Sequence, residues 1–240
     1  GLAGVSASQV EIQSGLQFYD GITTAEIQEI LVRSASDLID LDSPNYQFVA
    51  ARLLLYGLYK DVIGNSWKGG FPNVYEHLLS GSERGIYDTI LPNKYTKDEW
   101  DKIDSWIDHD RDFLFTYAGL RQVVDKYLVQ DRSTNELYET PQFMYMLISA
   151  SIFQNYPIET RLNYVRRYYD AISKHRINIP TPIMAGVRTP LRQFASCVLV
   201  DIDDTLDSIF SSDMAIGKYV AQRAGIGINA GRIRGINSKI

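Results

Sequence analysis

At residue 177 the chain changes character, and the change restricts what it can fold into. Prolines at 180, 182 and 190 rule out a continuous helix there, while the stretch before them reads as successive helices. After them comes CVLVDI (197–202), a strand candidate of the continuous apolar type found in doubly covered sheets. A helix fits residues 207 to about 223. GIGINAGRIR (225–234) reads as a second strand, with glycines where a backbone must come close to something else. One strand–helix–strand unit cannot bury both faces of its strands. Residues 179–240 are therefore expected to be the first unit of a larger α/β domain, and residues 1–178 a helical domain. The expected class is mainly α, and a chain end at Ile240 is physically odd for such a unit.

The helical reading rests on local signals. Ser43-Pro44 supplies a candidate N-cap and first-turn proline. From Tyr46 to Ile63 apolar residues are dense (Phe48, Leu53, Leu54, Leu55, Leu58), and Gly64 fits a stop. A helix so apolar is expected at the centre of its domain. Thr23 with Glu26, and Thr96 with Glu99, have capping-box spacing. Trp100, Ile103, Trp106 and Ile107 share one side of the next helix, surrounded by Asp101, Asp104, Asp108 and Asp110. KYLVQ (126–130) and ELYE (136–139) flank the polar turn DRSTN and read as a hairpin. Thr140-Pro141 opens a helix through Ile152, and another runs from about Pro157 to His175.

With 240 residues the chain can bury one large core or two small ones. Its net charge of −5 argues against a general grip on nucleic acid. No apolar run approaches the ~20 residues that span a bilayer, and GLAGVSASQVEIQ lacks the basic start and apolar core of a secretory signal. One cysteine excludes an internal disulfide framework, which makes a reducing, cytoplasmic compartment the default. His77, His109 and His175 lack metal-ligand spacing. DHDRD (108–112) has the look of a metal loop, but on a helix its side chains point around the axis. It is expected to be a solvated face with a salt bridge through Arg111.

Several motifs, taken in order, resemble the large catalytic subunit of class I ribonucleotide reductases. They are QFYDGITTAEIQEILVRSASDLI, PNYQFVAARLLLYGLYKDVIG, DHDRDFLFTYAG, KYLVQDR, LYETPQF, RLNYVRRYYDAIS, PTPIMAGVRTP, RQFASCVLV and QRAGIGINAGRIRG. The resemblance implies reduction of ribonucleotides by thiyl-radical chemistry inside a ten-stranded α/β barrel. Cys197 matches the member of a redox cysteine pair on the first barrel strand, which an outside dithiol of thioredoxin or glutaredoxin type would reset. Thr181 and Ser196 resemble residues that bind substrate diphosphate or ribose, and Ala224 and Gly225 the backbone that approaches the sugar. Asp204 resembles the acid that contacts an effector nucleoside, with Asp203 as the alternative. Arg234 resembles the residue that grips effector phosphate, and Ile240 the start of the first specificity loop.

The same resemblance implies a deoxynucleotide or ATP effector with Mg, and no cofactor bound directly by this chain. A metal-containing small subunit would supply the radical, and the helix at 207–223 would pack against a second copy. The partner thiol, the radical cysteine and the rest of the barrel would lie beyond Ile240. The ATP-sensing cone is expected to be missing, apart from a remnant in GLAGVSAS. The chain alone is thus expected to be inactive until the C-terminal remainder of the large subunit completes it.

Plainer readings stand beside these. A lone cysteine at a strand start is more often a buried apolar filler than a reactive thiol. Thr181 between prolines is ordinarily a turn residue, and Arg232 and Arg234 are ordinarily solvated strand-end charges. DIDDTLD (201–207) follows an apolar strand, as the DxDxT nucleophile of Mg-dependent phosphoryl-transfer enzymes does, with Asp201 in that role. The downstream lysine and second acidic cluster that such chemistry needs are not recognisable in the sequence. A non-catalytic helical interaction module is the other alternative.

Overall fold

The computed structural model describes residues 2–64, 68–131, 133–222 and 224–238. Its first part is a stack of helices: α1 (Ala7–Gly15), α2 (Thr24–Asp37), α3 (Tyr46–Ile63), α4 (Val74–Glu83), α5 (Lys97–Ser105), α6 (Tyr117–Gln122), α7 (Pro141–Phe153), α8 (Ile158–Ser173) and α9 (Thr181–Gly186). The second part is β1 (Cys197–Asp201), α10 (Leu206–Ala221) and β2 (Gly225–Asn229). The fold is therefore mainly α, followed by one strand–helix–strand unit. Arg132 of the DRSTN turn and Arg223, near the expected end of α10, lie outside the described residues.

Both capping boxes form. The Glu26 N–H donates to Thr23 Oγ1 at 3.2 Å, and the Thr23 N–H donates back to the Glu26 carboxylate at 2.8 Å. Thr96 and Glu99 repeat the exchange. Ser43-Pro44 does not cap α3. Its N-cap is Asn45, and the Ser43 carbonyl instead accepts from the Tyr46 N–H in a turn that leads into the helix.

The centre of the helical part is α7 rather than α3. Every residue from Pro141 to Ser151 is buried, among them Phe143, Met144, Met146, Leu147 and Ile148. Each such large apolar side chain contributes about 1.5–3 kcal/mol on leaving water. In contrast, α3 bridges two cores. Ala51, Leu55, Leu58 and Tyr59 enter the main one, while Tyr46 and Ala50 join a smaller cluster with Val10 and Ala35.

Two further expectations change on folding. The hairpin shrinks to one antiparallel bridge, Gln130 to Leu137. Residues 123–127 coil instead into a π-helical turn, closed by the Leu128 N–H donating to the Val123 carbonyl at 2.9 Å. DHDRD is not a solvated helix face. Residues 109–114 form a 3-10 helix, which repeats every three residues and so groups His109, Asp112 and Phe115. Phe115 carries that side into the core, and Asp112 is fully buried. The salt bridge through Arg111 does form, to Asp108 at 3.2 Å and to Asp170 at 2.8 Å.

β1 and β2 pair in parallel, with Cys197 opposite Gly225 and Asp201 opposite Asn229. α10 packs against both strands. Burial alternates along β1, with Val198 and Val200 half-buried and Cys197, Leu199 and Asp201 exposed. The apolar run is thus not buried on both faces as its composition suggests. Leu199 is 84 % exposed, because one helix covers only one face of a two-stranded sheet. Among the described residues no helix is long and apolar enough to cross a membrane.

Candidate functional site

Parallel pairing gives the strand–helix–strand unit two distinct ends. At the N-terminal end, Cys197 is a free, exposed thiol. The Gly225 N–H donates to the Ser196 carbonyl at 3.0 Å. A Cβ on Gly225 would stand 3.2 Å from that carbonyl oxygen, tight enough to favour glycine there. Ala224 is buried beside it, its N–H donating to the Tyr219 carbonyl at 3.1 Å. Four of the sequence-derived candidates, Ser196, Cys197, Ala224 and Gly225, are therefore neighbours. Their setting is one accessible sulfur next to closely approaching backbone, which suits thiol exchange more than the inert packing of a buried cysteine.

Thr181 belongs to a different group. It is the first residue of α9, and its Oγ1 lies 3.4 Å from the hydroxyl of Tyr127, the last residue of the π-helical turn. Among the described residues no hydrogen bond joins Thr181 to the Cys197 cluster. A cleft of about 520 Å³ opens between α6, α8 and α9, lined in part by Phe115, Tyr127, Tyr145, His175 and Met184. It shares Tyr127 with the Thr181 contact but does not include the thiol.

At the C-terminal end of the strands the acids and arginines pair with one another. Arg234 Nε donates to Asp204 Oδ2 at 2.6 Å, and Arg234 Nη2 donates to the Asp204 carbonyl at 3.1 Å. Arg232 bridges Asp201 and Asp203, at 2.9 Å to each. Asp204 and Arg234 face a cleft of about 270 Å³ with Thr205, Leu206, Ile209, Ile233 and Ser238. Thr205 caps α10 by accepting from the Ser208 N–H at 3.1 Å. Asp204, rather than Asp203, is thus the acid that shares a cleft with Arg234. Ile240, the third candidate for this end, lies outside the described residues.

The structure also shows polar groups that the sequence did not reveal. Arg188 is fully buried and donates to both Glu139 oxygens, to the Met184 carbonyl at 2.6 Å and to the Tyr127 carbonyl at 3.0 Å. Glu139 accepts in addition from the Val129 N–H at 2.8 Å and the Tyr87 hydroxyl at 3.2 Å. Asp112 accepts from the Tyr59 hydroxyl at 2.6 Å and from Gln142 Nε2 at 2.8 Å. Burial, foremost, lifts its carboxyl from the usual range to about 7, against the pull of those two hydrogen bonds. One signal could have exposed Asp112, its three-residue spacing from Phe115. Nothing local marks Glu139 or Arg188.

Comparison with known proteins follows the same division. Residues 113–192 match the family described as ribonucleotide reductase, all-alpha domain, and residues 195–240 match the ribonucleotide reductase barrel domain. The chain is 53 % identical over 240 residues to ribonucleoside-diphosphate reductase 1 subunit alpha of Escherichia coli, and 54 % identical over 240 residues to the subunit alpha of Haemophilus influenzae. It is 43 % identical over 239 residues to the subunit alpha of Enterobacteria phage T4. These alignments cover 99–100 % of this chain and 31 % of each relative, so the chain spans about a third of their length. The matches support neither DIDDTLD as a phosphoryl-transfer site nor the chain as a non-catalytic interaction module.

Proposed function

Because the chain belongs to the ribonucleotide reductase large-subunit family, matching its all-alpha and barrel domains in chain order, we propose that it forms part of a ribonucleoside-diphosphate reductase. Residues 1–178 are assigned to the helical domain and 179–240 to the opening of the barrel, of which α9 and Arg188 pack among the helices. The observation that carries the reading is the exposed Cys197 thiol on β1, set beside Ser196 and the close backbone of Ala224 and Gly225. In the proposed reaction the 2′-hydroxyl of a ribonucleoside diphosphate is replaced by hydrogen and leaves as water. Cys197 and a second thiol give up two electrons and two protons and become a disulfide, which an external dithiol of thioredoxin or glutaredoxin type reduces again. The sequence holds one cysteine, so the second thiol comes from outside these residues, and the chain alone does not turn over. The radical that starts the reaction would come from a metal-containing small subunit.

Thr181 and Ser196 are assigned to the substrate diphosphate or ribose, as hydroxyl groups suited to anionic oxygens. Asp204 and Arg234 are assigned to a deoxynucleotide or ATP effector. Phosphate at Arg234 would compete with Asp204 for the guanidinium, since both are charged acceptors of the same planar fork. Among the described residues no three His, Cys, Asp or Glu side chains gather at one point, and Asp201, Asp203 and Asp204 are all engaged by arginine. Mg²⁺ would therefore arrive on the effector's phosphates rather than on these carboxylates. The outer side of α10 carries Leu206, Phe210 and Met214, four residues apart and all more than half exposed. That stripe supports packing against a second copy.

The test is Cys197→Ser in the enzyme reconstituted with its remaining parts. Turnover should vanish while deoxynucleotide binding survives. Full activity in that variant would remove Cys197 from the chemistry.

A further inference from the structure

Thr181 has an unusual support. Its Oγ1 lies 3.4 Å from Tyr127 Oη, and Gln122 Nε2 donates to the same Tyr127 oxygen at 3.5 Å. An amide NH₂ group can only donate, so Tyr127 is an acceptor toward Gln122. A phenol carries one proton, and among the described residues Thr181 Oγ1 is the side-chain acceptor within reach of it. Either hydroxyl can donate across this contact, and the hydrogen bond from Gln122 polarises the phenol O–H and so favours Tyr127 as the donor. Donation from Tyr127 occupies an acceptor position on the threonine and leaves its own hydroxyl proton for a ligand. In that arrangement the relay runs from the amide to the phenol to the threonine to an outside oxygen.

The support is also held rigidly. Tyr127 ends a π-helical turn, a rare conformation that recurs at functional sites. Its carbonyl accepts from Arg188 Nη2 at 3.0 Å, and Arg188 is itself fixed by Glu139, with both side chains inaccessible to solvent. Pro180 and Pro182 restrict the backbone on either side of Thr181. A core tyrosine needs none of this merely to fill space.

We infer that Tyr127 is a positioning residue for Thr181, orienting its hydroxyl as a dedicated donor to a phosphate oxygen of the substrate, with Gln122 setting the direction. The inference rests on the assignment of Thr181 to the substrate. In the complete enzyme, Tyr127→Phe keeps the ring and its packing and removes only the relay. The expected result is a KM for the ribonucleoside diphosphate raised about fivefold, the scale of one neutral hydrogen bond, with kcat and melting temperature unchanged. Thr181→Val should raise KM more. The double variant should match Thr181→Val alone, because without the threonine hydroxyl there is nothing left to orient. If Thr181→Val raises KM but Tyr127→Phe does not, or if the two effects multiply, the relay is wrong and the assignment of Thr181 stands. If Tyr127→Phe lowers the melting temperature and kcat together, its role is structural and the relay is wrong. If Thr181→Val leaves KM at the wild-type value, the assignment itself fails and takes the relay with it.

Discussion

The helical part and the strand–helix–strand unit treat their charges and apolar groups in opposite ways. In the helical part the buried charges are paired inside: Arg188 with Glu139, Arg161 with Glu99, and Asp112 with the polar groups of Tyr59 and Gln142. In the unit the ion pairs of Arg232 lie at the surface, and Leu199, Leu206, Phe210 and Met214 face solvent. The first region spends its chemistry on its own stability. The second leaves its ion pairs and apolar groups exposed, and they include those proposed above to meet an effector and a second copy.

The sharpest test of that contrast pits one arginine against another. Arg188→Met leaves Glu139 buried without its cation and deprives the Met184 and Tyr127 carbonyls of a donor. It should cost about 3–5 kcal/mol. Adding Glu139→Leu should restore part of the loss, because the uncompensated charge goes with it. Urea unfolding read by the fluorescence of the three tryptophans, Trp67, Trp100 and Trp106, measures the effect. Arg232→Met, which breaks only exposed pairs, should leave the same midpoint in place. Equal effects of the two arginine substitutions would erase the distinction.

The two regions also differ in how far the sequence discloses them. Helix starts at Thr24 and Lys97 are legible because a threonine and a glutamate three residues on cap each other without help from the rest of the chain. Gly64, with φ of 83°, ends α3 for an equally local reason. The strands are legible too, and the glycine at 225 already marks where Ser196 must come close. What escapes is whatever depends on distant partners. Glu139 and Arg188 are 49 positions apart, and each alone looks like a surface charge. The central place of α7, by contrast, has a local signal, since Pro141–Phe153 holds no charged residue whereas α3 carries Arg52, Lys60 and Asp61. In the candidate site, the neighbours Ser196, Cys197, Ala224 and Gly225 follow from strand register, whereas the contact between Tyr127 and Thr181 spans 54 positions and leaves no trace in the sequence.

A second, smaller effect belongs to the buried acid. Asp112 is lifted by burial from an ordinary 3.8 to about 7, so the folded chain holds its proton more tightly than the unfolded chain does. Between about pH 4 and pH 7 this site makes stability fall as pH rises. His109 works in the opposite sense. Burial lowers it from 6.5 to about 4, so the unfolded chain takes up the proton first and stability rises with pH across that range. The two slopes oppose each other where they overlap. Asp112→Asn removes the first and leaves the second, so its stability should climb more steeply from pH 4 to pH 6.5 than that of the wild type. Urea midpoints at four pH values in that range are sufficient. Parallel curves for the two proteins would mean that Asp112 does not titrate there.

The smallest expected effect is the most telling for the outward-facing unit. Leu199 is 84 % exposed and lies across Gly227, where a Cβ would come within 2.7 Å of its Cδ2. Leu199→Ala therefore removes little buried area and should change the stability of this chain by less than about 0.5 kcal/mol. Hydrogen exchange at the amides that pair β1 with β2 reads this locally, where tryptophan fluorescence from the helical part cannot. In the complete enzyme the uncovered face of β1 is proposed to meet further barrel strands. There the same substitution opens a cavity and should cost about 2–5 kcal/mol. The gap between the two contexts measures how much of the unit's stability comes from outside it. If Leu199→Ala is equally mild in both, that face of β1 is not where the rest of a barrel packs.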